Sequence, residues 1–141
     1  MECSSTDARV VVITGSHRLL LCDGMDTVGV YSVYLGRGGV GKRREGDGKV
    51  PLGRYKLGVP RASEKYGTFI PIGYPTDVQR KKGYTGSAVG IHGPPRAFKW
   101  LGAILRWFDT TEGCVGLATD EEIERIAAWI RKTKAQYVEI R

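Results

Sequence analysis

Glycine occupies 20 of the 141 positions of this chain, about twice the ~7% of an ordinary domain. Glycine weakens helices and marks turns and bulges. A helical bundle or a long coiled coil is therefore excluded, and a strand-rich fold with many reversals is expected. The length suits one domain rather than two. Hydrophobic residues make up 41% and charged residues 26%, so the chain can bury a core and does not read as disordered. The formal charge is +7. Nucleic acid, an anionic membrane surface or an anionic polymer each fits that sign, and charge alone selects none of them.

The first half reads as strands. Val10 to Ile13 and Arg18 to Cys22 are apolar runs separated by Thr14-Gly15-Ser16, a hairpin signal. From Thr27 to Leu35, Tyr31, Val33 and Leu35 fall on one face at period two. Tyr55, Leu57 and Val59 repeat that alternation. Phe69 to Ile72 carries Pro71, which predicts an edge strand or a bulge. Ala88 to Ile91 is short and apolar and delivers His92 at its end. The glycine-rich stretch from Gly36 to Gly53 is too long for a simple turn, and loops of that length in a compact domain are usually functional or mobile.

Helical signals come later. Leu101, Ile104, Leu105 and Phe108 have helical spacing within Phe98 to Phe108. A stronger helix spans about 119–133. Thr119 and Glu122 form a capping box, and Ile123, Ile126, Ala127 and Ile130 make one apolar stripe. Acidic residues open that segment and basic residues close it, as the helix dipole favours. Tyr137 to Ile140 alternates and reads as a final strand. The expectation is a tail over 1–8 and one mainly β domain over 9–141.

Few residues are equipped for covalent chemistry. His17 lies in the first hairpin and reads as a solvated turn residue. His92 ends a strand and is followed by Gly93-Pro94-Pro95, which turns the chain away. Cys114 sits in the tight turn Thr111-Glu112-Gly113-Cys114, where Gly113 leaves the sulfur's approach open. Backbone amides there are candidate oxyanion donors. A cysteine with a strand-end histidine is the minimal pair for thiolate catalysis, because the imidazole takes the thiol proton. The bland readings are a structural histidine and a small buried thiol. No CxxC or HxxxH is present, so no metal is expected. The Gly36 to Gly41 run lacks the spacing of a phosphate loop. Asp23, Asp26 and Asp47 form no evident carboxylate pair.

At Cys114 the chain resembles the L,D-transpeptidase (YkuD-type) catalytic domain family. The matching segments are Gly90-Ile91-His92-Gly93, Thr111-Glu112-Gly113-Cys114-Val115, GDGKVPLGRYKL ahead of a strand, the stretch from Tyr66 to Tyr74, and GLATDEEIERIAAWI after the cysteine. They run in the family's order along nearly the whole chain. The resemblance implies a β-sandwich-like fold with Cys114 as nucleophile and His92 as base. The carbonyl of Gly93 would orient the imidazole, and the amides of Gly113 and Cys114 would hold the oxyanion. Tyr66, Tyr74 and Thr111 would contact substrate.

The implied substrate is the peptidoglycan stem peptide. Attack at the L-centre of diaminopimelate would form a thioester, which passes to an amine as a 3-3 crosslink or an attachment. No cofactor is implied. With water as acceptor, the same site would be an L,D-carboxypeptidase or L,D-endopeptidase. A non-enzymatic reading is an anionic-polymer module built on Lys42-Arg43-Arg44, Arg80-Lys81-Lys82 and Arg131 with Lys132 and Lys134; nucleic acid is not expected, since no RNA-binding pattern of aromatic and basic residues is present. A monomer is expected.

Two departures stand out. Many members carry arginine two residues after the cysteine, where this chain has Gly116, which leaves the acyl acceptor open. The stretch between His92 and Cys114 is longer than in many members and carries Trp100 and Trp107, so it is expected to cover the cleft. Peptidoglycan places the domain outside the cytoplasm, with an export signal expected outside this chain; no apolar run reaches the ~18 residues of a membrane span. In that oxidising setting Cys3 could pair with Cys22 and leave Cys114 free.

Overall fold

The computed structural model describes residues 2–141. Its strands are β1 Ala8–Ile13, β2 Arg18–Asp23, β3 Asp26–Ser32, β4 Gly39–Val40, β5 Lys49–Val50, β6 Gly53–Lys56, β7 Arg61–Ser63, β8 Gly67–Pro71, β9 Gly90–His92, β10 Val115–Gly116 and β11 Tyr137–Ile140. One five-stranded sheet has the order β3-β2-β1-β11-β6, and a second of four strands has the order β10-β9-β8-β7. β4 and β5 form a small parallel pair. The closing strand β11 lies parallel to β1 and antiparallel to β6, with Val10 opposite Val138 and Tyr55 opposite Val138 on the other side. The strand β11 is thereby an interior strand of the first sheet, next to the central β1.

Alternation decides what each sheet buries. Val10, Val12, Leu19 and Leu21 turn to one face of the first sheet and join Ile70, Ile91 and Val115 of the second in one core. Helix α2, Asp120–Thr133, is announced in sequence by Thr119 and its basic C-terminal turn, but only half of the expected capping box forms, because the Glu122 carboxylate accepts from the Thr119 hydroxyl and Arg106 instead of the Thr119 amide. The Thr119 hydroxyl caps it by accepting from the Glu122 amide. Its stripe of Ile123, Ile126, Ala127 and Ile130 enters the same core. The opposite face of the first sheet, Val11 and Leu20, is covered by Cys3. Cys3 is bonded to Cys22 with Cα atoms 5.5 Å apart. The segment ahead of β1 is thus pinned to the sheet.

Four expectations are corrected. The Thr27 to Leu35 pattern is not one strand: β3 ends at Ser32, and Tyr34 crosses to the second sheet, exchanging both backbone hydrogen bonds with Gly116 at 3.0 and 2.8 Å. Period two survives through Val33 and Leu35 because both still face the core. The alternation of Tyr55, Leu57 and Val59 breaks after Lys56, and Val59 is exposed. β8 is an interior strand between β7 and β9 rather than an edge; Pro71 is tolerated because it is the last residue of the strand. The segment around Phe98 is no α-helix. Arg96–Trp107 winds as 3-10 turns broken at Gly102 (φ 54°), which carries the helical spacing out of phase and leaves Leu105 as its one buried residue. A short additional helix, α1 Asp77–Lys81, was readable from Thr76 and Gln79, which form a reciprocal capping box.

Candidate active site

The second sheet brings histidine and cysteine together. β10 runs parallel to β9, with Val115 opposite Ile91 and Gly116 opposite His92. One residue earlier on each strand, the same register sets Cys114 beside Gly90. Residues two apart on a strand share a face, so the side chains of His92 and Cys114 project to the same side, one pleat apart. The amide of Leu117 donates to the His92 carbonyl at 2.9 Å and locks the pairing.

His92 is almost fully buried. Its Nδ1 lies 2.7 Å from the carbonyl oxygen of Gly93. A carbonyl only accepts, so Nδ1 carries the proton and Nε2 is left with the lone pair. Tyr66 stacks on the imidazole at 3.7 Å between ring centroids, and Tyr34 meets it edge-on at 6.5 Å. Nε2 has no hydrogen-bond partner among the described residues. Burial pushes the imidazole pKa down to about 4, with the Gly93 carbonyl working the other way.

Cys114 is the free thiol among the three cysteines, and it is half-buried. Its Sγ donates to the carbonyl of Ala88 at 3.5 Å rather than to His92. Burial raises the thiol pKa, opposed by the Gly90 backbone and by the ammonium groups of Lys42 and Lys65. Both groups are thus neutral at rest.

The turn before Cys114 is held by Thr111. Its amide donates to Leu35 and its carbonyl accepts from Arg37. Its hydroxyl donates to the Cys114 carbonyl at 2.7 Å and accepts from the Gly113 amide at 3.2 Å. Thr111 therefore shapes the Cys114 turn, although it also borders the cavity beside His92. The Gly113 amide, expected to face an oxyanion, is already engaged. Gly113 stands at φ 122°, and a Cβ there would meet the Lys49 carbonyl oxygen at 2.5 Å.

Beneath that turn lies a pair that sequence reading passed over. Lys42 opens a basic run, yet it is buried while Arg43 and Arg44 are exposed. Its Nζ donates to Asp47 at 3.0 Å and to the Arg44 carbonyl at 3.2 Å. Asp47 also accepts from the amides of Arg43, Arg44 and Lys49. Those amides and the ammonium outweigh burial and hold the carboxyl well below its usual range. An acidic residue five positions after the lysine was the available signal.

A cavity of about 510 Å3 opens against His92, walled by Tyr34, Tyr66, Phe98, Leu101 and Leu105. The Arg96–Trp107 segment forms that wall, as expected of a cover, but Trp100 and Trp107 point outward, 79% and 81% exposed. Tyr66 lies at the site. Tyr74 does not line this cavity: it is buried, edge-on to Tyr55 at 6.0 Å, and donates its hydroxyl to the Thr85 carbonyl at 3.0 Å. Tyr34, not anticipated, is fully buried with a hydroxyl that has no partner among the described residues. Its ring fills the space beside Gly116, where a Cβ would stand 2.3 Å from Cζ. Among the described residues no three metal-ligating side chains come together.

Residues 7–139 match the family model of the L,D-transpeptidase catalytic domain. No curated protein matches the chain by sequence. Among solved structures, the helical cell shape determining protein Pgp2 of Campylobacter jejuni is 25% identical with a TM-score of 0.77, covering 99% of this chain and 50% of that one. Bd1075 of Bdellovibrio bacteriovorus is 21% identical with a TM-score of 0.68, covering 100% and 49%. An L,D-transpeptidase of Enterococcus faecium is 10% identical with a TM-score of 0.66, covering 97% and 50%. The last two speak for the fold alone. The chain spans about half the length of these three structures.

Proposed function

The chain belongs to the family of L,D-transpeptidase catalytic domains, and on that premise we propose that it is a cysteine acyl transferase acting on peptidoglycan stem peptides. The observation that carries this reading is the parallel pairing of β9 with β10, which sets Cys114 and a Gly93-oriented His92 on one face. Nε2 of His92 takes the thiol proton as Sγ attacks the carbonyl carbon at the L-centre of diaminopimelate. The carbonyl π pair moves to oxygen, where the Cys114 amide, free of other hydrogen bonds among the described residues, is the available donor. Collapse expels the terminal D-amino acid, whose nitrogen takes the proton from His92, and leaves a thioester on Cys114. An acceptor amine then loses its proton to Nε2, attacks the thioester and regenerates the thiol.

The sulfur must turn from the Ala88 carbonyl toward His92 before the proton can move, since Nε2 and Sγ are not hydrogen-bonded at rest. The aromatic and aliphatic residues that wall the cavity beside His92, which Lys65, Thr110, Thr111 and Glu112 also border, support transfer to an amine over hydrolysis, because they disfavour a waiting water. The Cys3–Cys22 disulfide supports an extracytoplasmic setting.

Intact-mass measurement after incubation with tetrapeptide muropeptides tests the acylation. An adduct on the wild type and none on Cys114→Ala are expected. A folded wild type inert to every muropeptide and to a carbapenem overturns the reading. Product analysis with and without added amine separates transfer from L,D-carboxypeptidase or endopeptidase action.

A further inference from the structure

Moving a proton from Cys114 to His92 creates a thiolate and an imidazolium in a largely buried site. Burial opposes both charges. The groups whose charge or hydroxyl faces this region are His92, Tyr34, Lys65, Glu112, Lys42 and Asp47. Besides the Gly90 backbone, the two lysines favour the thiolate. Lys65 is exposed, sits 5.2 Å from the Tyr66 ring that stacks on His92, and works against the imidazolium as well. Lys42 is placed differently. Its Nζ is 3.3 Å from the point where a Gly113 Cβ would stand, so the ammonium rests against the residue immediately before Cys114. Its charge favours the thiolate of Cys114.

We propose that Lys42 is a positioning residue of the nucleophile: its ammonium, clamped beneath Gly113 by Asp47, favours the thiolate of Cys114. The clamp is rigid. Asp47 is oriented by three backbone amides, and two of the three Lys42 N–H bonds are spent on Asp47 and the Arg44 carbonyl. A cation held at fixed distance needs no reorganisation when the thiolate forms. A Cβ at Gly113 would crowd the ammonium at 3.3 Å and meet the Lys49 carbonyl oxygen at 2.5 Å.

The inference builds on Cys114 as nucleophile, but its test needs no muropeptide, so the two readings fail separately. With Cys3 and Cys22 joined, Cys114 is the thiol open to alkylation. Its rate of reaction with iodoacetamide is followed against pH in wild type, Lys42→Met, Lys42→Arg and Lys42→Met/Asp47→Asn. Lys42→Met is expected to move the midpoint up by about one pH unit, and Lys42→Arg to leave it in place. The double variant leaves no unpaired buried charge, so it reads the effect if Lys42→Met fails to fold; a smaller upward shift is expected there. A folded Lys42→Met or double variant that keeps the wild-type midpoint overturns the proposal, because a purely structural pair would alter stability and not the ionisation of the sulfur.

Discussion

The Nδ1 atom of His92 lies 2.7 Å from the carbonyl oxygen of Gly93, the next residue in the chain. The contact is possible because Gly93-Pro94-Pro95 turns sharply at the end of β9. It fixes the tautomer and points the basic nitrogen away from the backbone. A carbonyl carries no net charge, so it supports an imidazolium less than a carboxylate would.

That difference appears in pH dependence. Folded His92 titrates near pH 4 because it is buried, against ~6.5 in an unfolded chain. The unfolded state therefore takes up a proton that the native state refuses. Stability is complete above the unfolded value and falls as pH drops from ~6.5 to ~4, by about 3 kcal/mol in total. Below that window the loss passes to carboxylates such as Asp120, held at about 2 mainly by the Arg96 guanidinium. Urea denaturation of wild type and His92→Gln across this range checks it: the upper part of the slope should vanish in the variant.

Gly93→Ala should loosen the same corner. A Cβ there would stand 2.7 Å from the Tyr66 carbonyl oxygen and 2.9 Å from Ile123. Overpacking of this kind costs about 1–3 kcal/mol. Since the shift moves the carbonyl that orients His92, acylation should slow by more than the folded fraction explains. Thermal melts alongside acyl-adduct rates separate the two, and an unchanged rate per folded molecule contradicts the orienting role.

Tyr34 and Gly116 should be energetically coupled. Gly116→Ala puts a methyl group inside the Tyr34 ring's space and should cost about 1–3 kcal/mol or more. Tyr34→Ala should cost about 3–5 kcal/mol through the cavity it leaves. The pair together should cost clearly less than the two added. Additivity in a double-mutant cycle by urea denaturation is the contrary result.

Removing the Cys3–Cys22 bond with Cys3→Ala/Cys22→Ala should lower stability by about 3 kcal/mol, from the restored freedom of the enclosed loop. Cys114 alkylation should be unaffected, since the bond lies on the outer face of the first sheet. A large change in that rate would show that the two regions communicate.

Much of this was legible in sequence because it rests on neighbours in the chain. The helix expected over 119–133 is observed at Asp120–Thr133, since its cap, stripe and charge order are all local. His92 and Cys114 stood out as candidates by their flanking turns, and the family resemblance gave them their expected roles. The break at Gly102 was not legible: spacing alone cannot register that one residue adopts a non-helical conformation. Nor was the burial of Lys42, which sits in a run that looks solvated until Asp47 folds back on it.

The sequence by itself determined the class of fold and the helix that closes the core, because periodicity, caps and turns act within a few residues; through the family resemblance it also marked Cys114 and His92 as the candidate pair. Only the tertiary structure decided what surrounds the sulfur. Tyr34 leaves its strand to fill the place beside Gly116, and Lys42 comes under Gly113 from a distant loop. Tyr34 is placed by packing between segments far apart in the chain; Lys42 pairs with Asp47 only five residues away, but its approach to Gly113 is set by contacts across the fold that no local pattern specifies.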